Sequence, residues 1–261
     1  MSTAQFTMEA IPIVTVDSLA THAGLLDDGR GDCPDVVRSQ MLKMQLGILQ
    51  RKPRHEQVPI HHEIAAKYLP ALVEKYRANT GALNSSTTLL NVISYTPYFV
   101  RFLRTPAGQG IAALQTKRTV QDAPSIGSMT ADEVAEIGQF LSTLLVLQGI
   151  AEVDEADKAI LIPKLKQWER TFPGRLASDT STRCLTLLTD DSRMRPMMQA
   201  AKLMIEKNLT NCGAPGCGRP QREDGSDLMQ CARCKSAVYC GSDHQKKAWP
   251  QHKALCFAAS F

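Results

Sequence analysis

Six of the eight cysteines in this 261-residue chain, and two of its six histidines, fall in the last fifty residues. They run Cys212-x4-Cys217, Cys231-x2-Cys234, Cys240-x3-His244 and His252-x3-Cys256, with thirteen residues between the first two pairs, five between the next two and seven before the last. Thiolate and imidazole are the ligands zinc takes in tetrahedral sets of four, so these eight donors suit two closed sites. A closed site leaves no coordination position for a substrate, which argues against catalysis at the metal. In a reducing compartment such a cluster reads as metal ligation before disulfides.

The donors come in two geometric kinds. A short turn of the Cys-x2-Cys type brings two thiolates to one ion, while a Cys-x3-His or His-x3-Cys pair presents two ligands from one turn of helix. Joining the first two pairs on one metal would combine two turn-type pairs. Interleaving gives each metal one pair of each kind: Cys212, Cys217, Cys240 and His244 on one zinc, and Cys231, Cys234, His252 and Cys256 on the other. Either arrangement places under metal control a tail too small to build a core of its own.

This stretch resembles the MYND-type zinc finger, whose pattern Cys-x2-Cys-x5-Cys-x3-Cys-Gln-x3-Trp-x2-His-Lys-x2-Cys is met by Cys231, Cys234, Cys240, Gln245, Trp249, His252, Lys253 and Cys256, with Tyr239 before Cys240 also matching. The resemblance implies the interleaved two-zinc topology. His244 stands where the family more often has cysteine, a replacement that zinc accepts in the same tetrahedron. The first pair is Cys-x4-Cys where Cys-x2-Cys is commoner, and Gly213, Pro215 and Gly216 inside it can make the longer turn.

The resemblance further implies a protein-interaction module that captures proline-rich peptides, with Gln245 and Trp249 contributing to the groove. Four residues apart, the two share a helical face. Trp249 then offers an apolar surface for proline or leucine and Gln245 bonds peptide backbone; the alternative is that Trp249 packs between the zinc sites and the preceding helices. Ala232 occupies the place of a groove-lining serine found in some peptide-binding members.

From about residue 35 to 209 the pattern is helical. Ile60, Ile64, Tyr68, Leu69, Leu72, Val73 and Tyr76 recur at three-to-four spacing, as do Val134, Ile137, Leu141, Leu144 and Leu145. Thr130 and Glu133 open the second run as a capping box. Further helices are expected over about 36–51, 84–104, 108–117, 154–171, 178–189 and 193–209. Pro70, Pro163 and Pro196 suggest short, stepped helices, because proline lacks an N–H and fixes φ. No strand-like alternation of useful length and no fixed repeat is present. Residues 1–34, glycine-rich and acidic toward their end, read as a weakly ordered arm.

The expected architecture is therefore mainly α: the N-terminal arm, an irregular or armadillo-like helical domain over 35–209, and a small two-zinc cross-brace finger over 210–258. The helical part carries no phosphate loop, no Gly-x-Ser-x-Gly elbow and no His-Glu-x-x-His pair. It also lacks the patterns of the strand-rich SET methyltransferases with which such fingers occur, and the ligand order differs from that of RING ligases, so no enzyme is expected. His61-His62 reads as an exposed helix start before a metal pair. Met194, Met197, Met198 and Met204 read as core gap-fillers, and Cys33 and Cys184 as unpaired, quiet thiols. Arg30-Gly31-Asp32 reads as chance inside a cell.

A net charge of +4 gives nucleic acid or membrane no special claim. From residue 211 onward Arg219, Arg222, Arg233, Lys235, Lys246, Lys247 and Lys253 stand against Glu223, Asp224, Asp227 and Asp243, and each Cys₃His site adds a formal negative charge, so nucleic-acid binding is the lesser alternative. With no apolar run near the ~18 residues of a membrane span and no signal-peptide pattern at the start, a soluble intracellular adaptor is expected, in transcriptional or ubiquitin-related assemblies. A further alternative is a purely structural finger with the helical domain as the binding surface.

Overall fold

The computed structural model describes residues 13–27, 29, 33–121, 129–189 and 195–261. Arg30-Gly31-Asp32, Met194 and the first twelve residues lie outside the described residues. The described chain is helical apart from one two-stranded ribbon. Its helices are α1 (Val16–His22), α2 (Asp35–Gln50), α3 (Arg54–Ala78), α4 (Ser85–Ile93), α5 (Pro97–Leu103), α6 (Ile111–Gln121), α7 (Ala131–Gln148), α8 (Glu155–Thr171), α9 (Leu176–Leu188), α10 (Arg195–Thr210) and α11 (Ser242–His252). None is long and apolar enough to cross a membrane.

Local chemistry sets these boundaries. Thr130 caps α7 by accepting the Glu133 N–H at 3.3 Å, while the Glu133 carboxylate takes the Thr130 N–H at 2.8 Å. Thr15 and Ser18 form the same reciprocal box at the start of α1, inside the segment read as an arm, and Leu19 and Ala20 are buried against α2 and α3. The single helix expected over 84–104 is two. Thr96 accepts the Phe99 N–H and Pro97 occupies the first position of α5, so the chain restarts there.

Pro70 and Pro163 do not step their helices: α3 runs 25 residues through Pro59 and Pro70, and α8 continues through Pro163. Proline removes one hydrogen bond and tertiary packing holds the helix line. Burial in α3 also corrects the reading of His61-His62. They lie in its interior, not at an exposed start, with His61 Nδ1 2.8 Å from the Tyr95 hydroxyl and the His62 ring edge-on to Tyr98. Burial pulls both imidazoles down to about 4.

The core centres on Phe140 of α7, edge-on to Tyr76 and tilted against Phe99 at 6.1 and 6.3 Å between ring centres. The Tyr76 hydroxyl donates to Gln115 Oε1 at 2.8 Å, so its polar tip is satisfied in the interior. Gly138 lets α7 and α9 approach closely. A Cβ there would sit 2.6 Å from Thr180 Oγ1, and the buried Cys184 thiol, pushed up to about 12 by burial, donates to the Gly138 carbonyl at 3.4 Å. Gly138→Ala should therefore lower the melting temperature despite alanine's better helix propensity, because overpacking costs about 1–3 kcal/mol. An unchanged or raised melting temperature would show that the two helices separate freely.

The methionine reading needs correction for α10. Among the described residues 196–210 of that helix none is fully buried; Met197 is 51% and Met204 78% exposed, and Leu203 is 64% exposed. Lys202 and Glu206 turn inward instead, Lys202 to the Leu147 carbonyl and Glu206 to Arg104.

Candidate metal centre

Past α10 the chain enters a compact unit around the β1–β2 ribbon (Met229–Gln230 and Val238–Tyr239, antiparallel). The Gly213 N–H bonds the Val238 carbonyl at 2.9 Å, which lays the Cys212 turn along the free side of β2. The long Cys212–Cys217 turn closes through Cys217 N–H to the Ala214 carbonyl at 3.0 Å, with Gly216 at φ 77° supplying the left-handed residue it needs. The Cys231–Cys234 turn closes through Lys235 N–H to the Cys231 carbonyl at 2.8 Å. Lys235 itself is left-handed at φ 52°.

These elements gather the donors into two sets, each with its ligand atoms within 4.8 Å of one another: Cys212, Cys217, Cys240 and His244, and Cys231, Cys234, His252 and Cys256. In a zinc tetrahedron, bond lengths of about 2.3 Å to sulfur and 2.0–2.1 Å to nitrogen put neighbouring sulfurs about 3.8 Å apart and sulfur about 3.6 Å from nitrogen. The first set shows Cys217 Sγ to Cys240 Sγ at 3.6 Å and Cys212 Sγ to His244 Nδ1 at 3.3 Å. The second shows Cys231 Sγ to Cys256 Sγ at 3.7 Å and Cys234 Sγ to His252 Nε2 at 3.5 Å. Each set fits one four-coordinate zinc. His244 presents Nδ1 from the first turn of α11 and His252 presents Nε2 from its end.

The electrostatics of the donors suit a shared cation. In the protein alone, burial followed by neighbouring thiols pushes Cys240 up to about 11 and Cys256 up to about 12, and holds Cys234 above the ordinary thiol range. Cys231 and Cys217 shift downward: burial opposes the change at Cys231, where the N–H groups of Cys234 and Arg233 outweigh it, and the backbone N–H of Arg219 dominates at Cys217. Backbone N–H groups also aim at the ligands, Ser236 to Cys234 Sγ and Cys240 to Cys212 Sγ, both at 3.4 Å. Sulfurs so crowded become thiolates together when a divalent ion offsets their repulsion.

Comparison with known proteins agrees with this geometry. The MYND finger family matches residues 210–256. This segment is a MYND finger. Such a finger is a zinc-binding protein-interaction domain, and its two clusters hold two structural zinc ions. The chain is 34% identical over 53 residues to Egl nine homolog 1 of Homo sapiens, covering 17% of this chain and 12% of that protein. It is 55% identical over 29 residues to the Histone-lysine N-methyltransferase SMYD3 of Homo sapiens, covering 11% of this chain and 7% of that protein. The chain thus spans about a tenth of the length of these relatives. No solved structure matches it.

Gln245 and Trp249 lie one turn apart on α11, Gln245 half-buried and Trp249 38% exposed, its ring tilted against His252 at 6.0 Å. Trp249 is therefore on the outside of the MYND finger and not between the zinc sites and the helices. Tyr239 takes the inner position, buried and edge-on to His252 at 6.0 Å.

What sequence reasoning missed is how firmly the finger docks. Its second zinc site faces α3 and α5 across a cavity of about 150 Å³ lined by His62, Tyr98, Cys234 and His252. The residues after Cys256 bond Tyr98, Arg101 and Ala66 of the helical domain. One signal was available: Pro70, four residues after Ala66, leaves the Ala66 carbonyl without its helical donor.

Proposed function

We propose that the protein is a non-enzymatic adaptor whose MYND finger recruits partner proteins through an extended, proline-containing peptide at Gln245 and Trp249. The exposure of Trp249 carries the reading. A large aromatic side chain held outward, with a neighbouring amide to bond peptide backbone, can receive proline or leucine, and a proline-rich ligand loses little entropy on binding. Zinc builds and stiffens this face without taking part in chemistry. Transcriptional or ubiquitin-related assemblies are the setting we favour, inside the cell, where thiolates stay reduced.

A nucleic-acid role has less support. Acids and bases interleave along the finger, and on α11 Asp243 lies 3.5 Å from Lys246, which offsets part of that helix's positive charge. The docking contacts favour a second reading, in which the finger is chiefly structural and the helical domain binds partners.

Affinity purification with mass spectrometry separates the two. Trp249→Ala and Gln245→Ala should each retain both zinc ions yet lose a defined set of co-purifying proteins. An unchanged set would move function to the helices.

A further inference from the structure

Residues 257–261 form neither helix nor strand, yet they lie ordered across α3 and α5 with an alternating exposure: Phe257, Ala259 and Phe261 are half-buried while Ala258 and Ser260 are more exposed. That alternation is the pattern of an extended peptide on a receptor surface. The receptor is built for backbone recognition. Pro70 cannot donate to the Ala66 carbonyl, and Ser260 supplies the missing bonds from its N–H at 2.9 Å and its hydroxyl at 3.2 Å. The Tyr98 hydroxyl accepts the Phe257 N–H at 2.8 Å and lies 3.0 Å from the Leu255 and Phe257 carbonyl oxygens, one of which takes its proton.

The far end has an aromatic anchor. The Phe261 ring sits 4.4 Å beneath the Arg101 guanidinium and edge-on to Phe102 at 5.2 Å, and Arg101 Nη2 donates to the Phe261 carbonyl at 3.1 Å. Position along this track is fixed by Cys256, the last ligand of the second zinc, one residue before the segment begins.

We propose that the α3–α5 face is a recognition site for an extended peptide with aromatic side chains at its first and fifth positions, occupied in cis by residues 257–261 and kept occupied by zinc at the second site. The zinc tether holds the segment at high local concentration, so a free peptide of the same pattern competes only when the tether or the anchor fails. Zinc occupancy thereby controls access to the helical domain.

The test uses the ¹⁵N-labelled full chain, zinc-loaded, titrated with an acetylated peptide copying residues 257–261. The native chain should show no shifts up to about 5 mM, the range in which a millimolar site fills. Phe261→Ala, with two zinc ions confirmed, should show saturable shifts at the Tyr98, Arg101 and Phe102 amides, weakened about tenfold by adding Arg101→Ala. Stripping zinc from the native chain should remove hydrogen-exchange protection from residues 257–261 and let the peptide bind. No shifts in the zinc-loaded Phe261→Ala chain would overturn the recognition site. Equal shifts in the loaded native chain would overturn cis occupancy, and protection that survives zinc removal would overturn control by the metal.

Discussion

Replacing Cys234 with serine should reduce bound zinc from two ions to one or none and collapse the dispersed amide signals of residues 212–256. Cys234 is buried, shares the second site with Cys231, His252 and Cys256, and takes the Ser236 N–H on its sulfur. Structural zinc contributes about 10–16 kcal/mol of apparent folding free energy in finger peptides, which a segment of this size cannot replace by packing. The damage should reach the first site as well. Strand β2 lies between Cys234 of one site and Cys240 of the other, and α11 carries His244 at one end and His252 at the other. Metal analysis with proton–nitrogen NMR reads both effects. Two ions retained with native dispersion would refute the interleaved ligand assignment.

Phe140→Ala should destabilise the helical domain severely while sparing the zinc sites. Phe140 has no solvent exposure and packs between Tyr76 and Phe99, so truncation leaves a cavity bounded by rigid rings. Such truncations cost about 3–5 kcal/mol, a large share of the roughly 5–15 kcal/mol that holds a domain folded. Thermal unfolding followed by circular dichroism should show a fall of about 10 °C or more, with two zinc ions still bound by the folded protein. A fall of a degree or two would mean that the site collapses around the smaller side chain and that Phe140 is not the centre of the core.

The metal ligands were legible because coordination chemistry restricts them so tightly: thiolate and imidazole at fixed spacings admit few partners, and pairing one turn with one helical pair per ion gives the two sets the structure brings together. Helix positions were legible where periodicity and capping agreed, as at Thr130 and Glu133. Legibility failed where the outcome depends on what another part of the chain covers. His61 and His62 resemble any exposed pair until Tyr95, Tyr98 and the finger close over them. Met197 and Met204 have helical spacing whichever face packs, and Lys202 and Glu206 found inward partners instead. Pro70 spoke against a long helix by its own chemistry, yet α3 continues through it and the freed carbonyl of Ala66 serves the finger's tail.

The central claim is a finger built on two zinc ions, each held by three cysteines and one histidine. Native mass spectrometry of the intact chain tests it most directly. The intact chain should gain the mass of two zinc ions, each replacing two protons at a given charge state, with both ions released together on chelation. A chain carrying fewer than two ions, or one whose mass shows two hydrogens lost per cysteine pair with no metal gained, would contradict it.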